Sequence, residues 1–108
     1  MTRGDLVVVA TRGAYTSKPR PALVVQSDVF NDTHASITVC PVTSDVIDAP
    51  LFRVSVAPGR RTGLDSASQI MVDKLVSVPR SAIRKKIGRC DLDELQLVDD
   101  ALRRWLEL

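Results

Sequence analysis

The chain has 108 residues, of which 44% are hydrophobic and only 4% aromatic, and it carries a formal net charge of +2. This size suits one domain, spanning residues 1–108, with a core of valine, leucine and isoleucine. No apolar run approaches the roughly 18 residues that cross a bilayer, and the first run, residues 6–10, is too short for a signal peptide. We therefore expect a soluble, cytoplasmic protein with no membrane partner.

Short runs rich in valine and isoleucine recur along the first 90 residues, with turn residues between them. This spacing is typical of a mostly antiparallel β domain. The predicted strands cover residues 6–10, 22–26, 37–41, 52–56, 69–72, 75–78 and 86–90. The sequence thus predicts a mainly β fold, a small and strongly bent sheet or barrel, which dimerisation would help to stabilise.

The hydrophobic period changes at Asp91. Beyond it, apolar residues recur at spacings of three and four: Leu95, Val98, Leu102, Trp105 and Leu106. This pattern predicts an amphipathic C-terminal helix, with Asp91 and Glu94 placed as in a capping box. We expect Trp105 to anchor this helix on the sheet.

Several kinds of site are excluded by the residues that are missing. Cys40 and Cys90 lie far apart without a C-x-x-C pair, so we expect reduced, buried cysteines and no zinc site. His34 is the only histidine and lies in a polar segment, which rules out a pair of catalytic histidines. No Walker, G-x-G-x-x-G or G-x-S-x-G motif occurs, and we predict neither a metal nor a cofactor.

Positive charge is concentrated in one segment. Residues 59–90 carry eight lysines and arginines against two aspartates, whereas residues 1–58 are balanced and residues 91–108 are acidic. Within it, Arg80, Arg84, Lys85 and Lys86 form a basic run that can attract a polyanion. An ordinary solvated surface would explain the same charges.

The remaining candidates for chemistry are an arginine, two hydroxyls and a carboxylate at strand ends. Arg20 stands between two prolines, which fix it on a stiff, extended piece of chain before a strand. Thr43 and Ser44 follow another strand, and Asp73 ends the run "QIMVD". A forked guanidinium beside a hydroxyl suits a phosphate, although a salt bridge with a structural threonine is the competing interpretation.

The same stretches make the sequence resemble a known family. The segments "RGDLVVVA", "TRGAYTSKPRPALVVQSD", "VCPVTSD", "QIMVDKLVSVPRSAI", "KIGR" and "DLDELQLVDDALRRWLEL" follow in the order found in the MazF/PemK toxins of bacterial toxin–antitoxin systems. The resemblance implies an SH3-like antiparallel β-barrel with a C-terminal helix, and a homodimer. It also implies metal-independent, sequence-specific cleavage of single-stranded RNA, and inhibition by a cognate antitoxin.

Position by position, the resemblance implies roles for three residues. Arg20 matches the arginine most associated with cleavage, Thr43 its usual partner, and Asp73 an aspartate implicated in catalysis or RNA contact in some members. The chain departs from the family at residues 14–16, "AYT", where many members have an acid or a histidine, and at Met71, where some have an arginine.

Those departures leave two alternatives open. CcdB-like gyrase poisons share the barrel and the dimer without being nucleases, and a non-catalytic RNA- or partner-binding module would need no complete site. In the ribonuclease hypothesis, the ribose 2′-OH attacks the adjacent phosphorus to leave a 2′,3′-cyclic phosphate and a 5′-OH.

Binding of RNA is assigned to two groups of residues. Unstacked bases would be held by the first loop and the strand end nearby, with a tyrosine available for stacking: Arg12, Tyr15, Thr16, Ser17, Lys18 and Ser44. The basic run from Arg80 to Lys86 would follow the RNA backbone or receive an acidic antitoxin.

Overall fold

The structure, a computed structural model, describes residues 1–10 and 18–108, which form seven strands and two α-helices. The strands are β1 (Asp5–Val9), β2 (Arg20–Val24), β3 (Ser36–Thr43), β4 (Arg53–Val56), β5 (Ser68–Met71), β6 (Val76–Pro79) and β7 (Ile83–Arg89). The helices are α1 (Asp28–Asn31) and α2 (Leu92–Leu106), and 3₁₀ turns cover Val72–Lys74 and Arg80–Ala82. All seven predicted strands are confirmed, with ends shifted by a few residues.

The strands form one antiparallel sheet in the order β4-β5-β3-β2-β1-β7. The eight-residue strand β3 organises it, because one of its edges serves two partners. Its first half pairs with β6, from Ser36 opposite Pro79, and its last two residues pair with β5, where Thr43 lies opposite Gln69. The sheet bends along β3 as a result.

Strict alternation along β1, β2 and β3 buries both faces of the sheet. Leu6, Leu23 and Cys40 point into the larger core cluster, which α2 covers with Val98 and Ala101. The intervening residues form a second cluster on the other face: Val7, Val9, Ala22, Val24, Ile37 and Val39. Successive side chains of a strand point to opposite faces, so these three strands read as continuous apolar runs.

The sheet is strongly bent but open. Within residues 1–10 and 18–108, no ladder joins β4 to β7, so the predicted closed barrel is not formed. The loop between β4 and β5 lies against β7 instead, and the Arg89 amide donates to the Arg61 carbonyl at 2.8 Å. A Cβ at Gly63 would clash with the Ile87 carbonyl oxygen, and one at Gly88 with that of Arg61. Gly63 and Gly88 therefore allow the β4–β5 loop, and not a strand, to cover part of the exposed edge of β7.

The predicted C-terminal helix is confirmed, including its cap. The Glu94 amide donates to Asp91 Oδ1 and the Asp91 amide to Glu94 Oε1, each at 2.8 Å. Trp105 contacts the sheet through Phe52, with 6.0 Å between the ring centroids. The indole remains 50% exposed, so it anchors the helix with one face only.

Cys40 and Cys90 are free and buried in the larger core cluster, as expected. Burial raises the pKa of each thiol to about 12, which keeps both protonated and unreactive at neutral pH. Among the described residues, no helix has the length and apolar character that crossing a membrane requires.

Candidate active site

Arg20 and Thr43 are brought together by the pairing of β2 with β3. Ala22 lies opposite Pro41, Leu23 opposite Cys40 and Val24 opposite Val39. When this register is continued by two residues toward the start of β2, Arg20 falls opposite Thr43. Both residues line the same cleft, which has a volume of about 470 Å³.

The cleft has an apolar floor and a polar rim. The floor comes from the sheet, the 57–67 loop and β7, and includes Val8, Pro21, Val42, Leu64 and Ile87. Among the described residues, the rim carries two cations, one carboxylate and four hydroxyls: Arg20, Lys85, Asp65, Thr43, Ser44, Ser66 and Ser68. This combination suits an anionic ligand with hydrogen-bonding oxygens, such as a phosphodiester.

The Thr43 hydroxyl is oriented by its own turn. The Asp45 amide donates to Thr43 Oγ1 at 3.0 Å, a side chain-to-backbone bond typical of threonine at the end of a strand. This bond does not use the hydroxyl hydrogen, and the described residues offer it no acceptor, so it can donate to a ligand. A hydroxyl held in this way can donate to a phosphoryl oxygen in the cleft.

Arg20 carries an uncommitted positive charge. The residue is exposed at the start of β2, and within the described part of the chain its guanidinium has neither a hydrogen bond nor a carboxylate within 4.0 Å. The adjacent Pro19 and Pro21 restrict the backbone on both sides. The described residues therefore do not contain the salt bridge that was the competing interpretation, and none of them occupies the five N–H groups of Arg20, which can donate to a ligand.

The segment after Thr43 is held by a buried glutamine. Gln69, which is 6% exposed, accepts at Oε1 from the Ile47 amide (3.1 Å) and from Arg53 Nη1 (2.9 Å), and its Nε2 donates to the Ile47 carbonyl at 2.8 Å. Arg53 Nη1 also donates to the Asp45 carbonyl at 3.0 Å. Because Gln69 pairs with Thr43, this network fixes the turn that orients the hydroxyl.

The opposite wall of the cleft comes from a tightly packed loop. Thr62 is 1% exposed, and its hydroxyl donates to the Ala57 carbonyl at 2.8 Å. Gly63 follows with φ of +72°, a left-handed conformation that favours glycine, and Leu64 inserts into the larger core cluster. Asp65 comes directly after this anchored turn, so its position at the rim is set by the packing of its neighbours.

Lys85 reaches the cleft from β7. It pairs with Val8 across the β1–β7 ladder, and both residues line the cleft. Lys85 also lines a second, neighbouring groove with Met1, Thr2, Arg84 and Lys86. The two depressions are thus connected through one lysine, and the basic run continues from the cleft.

The other members of the basic run differ in their contacts. Arg84 and Lys86 are exposed, although Lys86 Nζ lies 3.4 Å from Asp5 Oδ1. Arg80 is committed to the fold, because its Nε donates to the His34 carbonyl at 3.1 Å and its Nη2 to the His34 and Asn31 carbonyls. It closes the loop around α1, a helix that the sequence patterns did not predict.

Asp73 does not lie in the cleft. It belongs to the 3₁₀ turn after β5, whereas Ser68, at the other end of that strand, lines the cleft. One Asp73 oxygen, Oδ1, is buried without a hydrogen-bond partner among the described residues. The structure therefore brings Arg20 and Thr43 together, but it does not bring Asp73 to them.

The predicted RNA-binding residues fall into three groups. Ser44 lines the cleft, and Lys18 is exposed outside it. Four others lie outside the described residues: Arg12, Tyr15, Thr16 and Ser17. Asp65, Ser66 and Ser68 were not predicted at all, although "GLDSAS" precedes β5, whose start must lie where the antiparallel strand β3 ends.

No metal centre is evident near the cleft. Within residues 1–10 and 18–108, no three His, Cys, Asp or Glu side chains gather in a way that could hold a metal ion.

Comparison with known proteins identifies the family. Residues 2–106 match the family described as "PemK-like, MazF-like toxin of type II toxin-antitoxin system". The chain belongs to this family. It is 46% identical over 106 residues to "Probable endoribonuclease MazF" of Mycolicibacterium smegmatis, and the match covers 98% of this chain and 96% of that protein. It is 32% identical over 116 residues to "Endoribonuclease MazF9" of Mycobacterium tuberculosis, covering 100% and 98% of the two chains.

Solved structures of MazF proteins share the fold. A MazE–MazF structure from Deinococcus radiodurans superposes with a TM-score of 0.83 at 25% identity, covering 100% of this chain and 97% of the other. The Mycobacterium tuberculosis toxin MazF-mt6 gives a TM-score of 0.82 at 20% identity, with 96% and 97% covered. The predicted MazF-like fold is therefore confirmed, and the family is the one that the sequence motifs indicated, not the CcdB-like alternative.

Proposed function

We propose that the cleft between Arg20 and Thr43 is the active site at which this toxin cuts single-stranded RNA. The chain is a MazF-type endoribonuclease of a toxin–antitoxin system, as its family and its closely similar relatives indicate. The observation that carries the assignment of the site is the β2–β3 register, which continues to Arg20 opposite Thr43 in one cleft. The catalytic roles below belong to the proposal.

The proposed reaction uses the ribose 2′-OH as an internal nucleophile. Its oxygen attacks the adjacent phosphorus, the bond from phosphorus to the 5′ oxygen breaks, and the products carry a 2′,3′-cyclic phosphate and a 5′-OH. Holding the 2′-OH in line with the leaving oxygen can lower the barrier by several kcal/mol. The nucleophile and the electrophile both come from the substrate, so the reaction asks the protein for orientation, charge stabilisation and proton transfer.

Arg20 supplies the charge stabilisation. Its forked donors can hold two non-bridging oxygens of the scissile phosphate at once, and the guanidinium stays protonated throughout. Thr43 donates its free hydroxyl hydrogen to the same oxygens as negative charge grows on them. Pro19 and Pro21 restrict the backbone that carries Arg20, and the Gln69 network fixes the turn that orients Thr43, so both groups start at the cleft before RNA binds.

The RNA strand leaves the cleft over Lys85. From there the groove lined by Arg84 and Lys86 offers further cations to the phosphates. Base recognition is assigned to Ser44 and to the predicted residues of the first loop: Arg12, Tyr15, Thr16, Ser17 and Lys18. Arg80 is left out of this surface because its donors are bound to backbone carbonyls.

The proposed partners of the toxin are a second copy of the chain and a cognate antitoxin. Two of the structural neighbours are complexes of this kind, a MazE–MazF complex and an endoribonuclease "in complex with its cognate antitoxin". The cationic groove beside the cleft would receive acidic residues of the antitoxin, which would occlude the RNA path. Sedimentation velocity of the full-length chain, alone and with antitoxin, measures both associations.

The experiment that tests the function maps the ends of cut RNA. Purified protein is incubated with a mixed single-stranded RNA in the presence of EDTA, and the products are sequenced with and without kinase treatment. Discrete cuts with 5′-OH and cyclic-phosphate ends are expected. Intact RNA, or cuts that appear only after a divalent metal is added, would contradict the proposal. Intact RNA together with blocked gyrase supercoiling would support the CcdB-like alternative.

A further inference from the structure

The reaction described above needs a group that takes the proton of the 2′-OH, and Arg20 and Thr43 cannot provide one. Arginine stays protonated, and a neutral threonine hydroxyl is too weak a base to take a proton from another hydroxyl. The aspartate to which the resemblance pointed, Asp73, lies outside the cleft with one oxygen buried. A base must therefore come from elsewhere in the site.

Asp65 is the one carboxylate among the described residues that line the cleft. Its side chain is exposed, and within residues 1–10 and 18–108 it makes neither an ion pair nor a hydrogen bond. Its carboxylate is thus free to accept a proton from a ligand. Arg20, which lines the same cleft, lies beyond the 4.0 Å at which the two charges would form a salt bridge.

The position of Asp65 is unusually well fixed for an exposed loop residue. Two residues before it, Gly63 packs against the backbone of β7 in a conformation with φ of +72°, and the preceding Thr62 is hydrogen-bonded to the Ala57 carbonyl. Immediately before it, Leu64 is buried in the core. A general base must be held in a defined position, and this packing fixes the backbone that carries the Asp65 carboxylate.

The charges around the cleft are consistent with a carboxylate that acts on a bound phosphodiester. Arg20 and Lys85 contribute two positive charges to the cleft and Asp65 one negative charge. One phosphodiester then brings the total of these groups to zero. A carboxylate beside these cations weakens their attraction for phosphate, and a role in the reaction would account for its place in the cleft.

We propose that Asp65 is the general base that removes the proton of the 2′-OH, an assignment that rests on the proposed ribonuclease function. The proton passes from O2′ to the Asp65 carboxylate while the bond from O2′ to phosphorus forms. The bond from phosphorus to O5′ breaks, and the leaving oxygen takes a proton from water. Asp65 then releases its proton to the solvent, so no proton is consumed overall.

The test compares Asp65→Asn with the wild type and with Asp32→Asn, an exposed aspartate at the end of α1 that does not line the cleft. Asparagine keeps the shape of the side chain but cannot act as the base, so we expect kcat to fall about 10²- to 10³-fold. The acidic limb of the pH–rate profile should disappear with it. Affinity for an RNA carrying a single 2′-deoxyribose at the cut site should be unchanged or higher, and Asp65→Glu should recover part of the rate.

A substrate with sulfur in place of the leaving O5′ distinguishes the loss of a general base from the loss of a general acid. Sulfur leaves without being protonated, so a defect in the base persists with this substrate. The proposal predicts that Asp65→Asn remains slow on it; recovery of the wild-type rate would overturn the assignment of Asp65 as the base. A kcat of Asp65→Asn equal to that of the wild type would also overturn it and leave the ribonuclease function intact. A wild-type protein that cuts no RNA would instead contradict both proposals.

Discussion

Arg20 and Thr43 fall opposite each other when the β2–β3 register is continued to the start of β2 and the end of β3, two residues beyond Ala22 and Pro41, the last paired residues of that ladder. Their proximity is thus a consequence of strand register. A slip of one residue between β2 and β3 would turn every core side chain of one strand to the wrong face, so the buried alternation of these strands protects the active site from misalignment. Stability of the core and geometry of the cleft are set by the same pairing.

Replacement of Arg20 tests the centre of the site most directly. Arg20→Ala should lower kcat/KM by at least about 10³-fold, because it removes a charge aimed at the transition state. Arg20→Lys should recover little, since a lysine cannot offer two parallel donors. Initial rates on a short fluorogenic RNA measure both, and circular dichroism should show an unchanged melting temperature. Arg60→Ala, an exposed arginine outside the cleft, is the control; full activity of well-folded Arg20→Ala would remove the proposed site.

Thr43 provides a second, smaller test. Thr43→Val keeps the β-branched shape but removes the hydroxyl that accepts from Asp45 and faces the cleft, and we expect kcat to fall about 10- to 100-fold. Thr43→Ser keeps the hydroxyl and should retain most of the rate. Single-turnover kinetics distinguish the two variants. Equal rates for Thr43→Val and Thr43→Ser would assign the threonine a purely structural role.

Gln69 should affect the rate of cleavage only indirectly, because it fixes the turn after Thr43. Gln69→Leu removes the acceptor and the donor that hold the Ile47 backbone and leaves Arg53 without its side-chain partner. Loss of these buried bonds should lower the free energy of unfolding by about 1–3 kcal/mol. It should also lower kcat with little change in the shape of the pH–rate profile. Urea unfolding and rates below the unfolding transition measure the two effects; an unchanged kcat would show that Thr43 does not depend on this network.

Lys85 should contribute to binding more than to chemistry. Lys85→Ala removes the cation shared by the cleft and the neighbouring groove, so we expect a higher KM and a smaller salt dependence of RNA binding. The slope of log K against log salt should fall by about 0.7 for each phosphate that the protein no longer neutralises. Fluorescence anisotropy at several salt concentrations gives the slope, with the exposed Lys74→Ala outside both depressions as the control. A slope equal to that of the wild type would exclude Lys85 from the RNA path.

The Asp5 carboxylate should make the free energy of unfolding depend on pH. Burial acts to raise the pKa of this carboxyl, but hydrogen bonds from the Thr2 amide and hydroxyl and the charge of Lys86 lower it overall. The pKa of Asp5 in the folded protein thus lies below its value in the unfolded chain, which is about 3.9. Above pH 3.9 the ionised carboxylate makes its full contribution to the free energy of unfolding, and this contribution is lost as the pH falls through the folded-state pKa. Asp5→Asn should therefore cost about 2 kcal/mol at pH 7, and the difference from the wild type should shrink below about pH 3.9. Urea unfolding from pH 7 to pH 3 measures it; a difference that stays constant would contradict the argument.

The strands and the helix could be predicted because local patterns determine them. Short runs rich in valine and isoleucine between turn residues identify β1 to β7, and the spacing of Leu95, Val98 and Leu102 identifies α2 with its Asp91 cap. The four-residue helix α1 was missed, since its stability comes from the buried Asn31 and from Arg80, which lies 49 residues away. The open sheet could not be foreseen either, because closure into a barrel depends on whether β4 reaches β7.

The site was predictable where it follows from strand ends. Arg20 between its prolines and Thr43 after β3 were found from sequence, and Lys85 was found as part of a basic run. Asp65 was missed because "GRRTGLDSAS" reads as an ordinary loop, and only the packing of Gly63 on β7 shows that this loop forms a wall of the cleft. Asp73 was predicted from its place at the end of a strand and from the resemblance, but it follows the far end of β5, whereas Ser68 at the start of β5 lines the cleft.

The contact between Gly63 and the backbone of Ile87 has a mechanical consequence. It sets the turn that bears Asp65 directly against the outermost strand, so we expect a displacement of β7 to move the acid as well, although Asp65 and Ile87 are more than twenty positions apart in the chain. A molecule that binds β7 and displaces it away from the sheet would move the Asp65 carboxylate away from the substrate, while Arg20 and Thr43 would stay in place. Cutting could then be silenced from the rim of the sheet, without an inhibitor ever entering the cleft, and slower amide exchange at residues 61–65 than in the free toxin would argue against such a withdrawal.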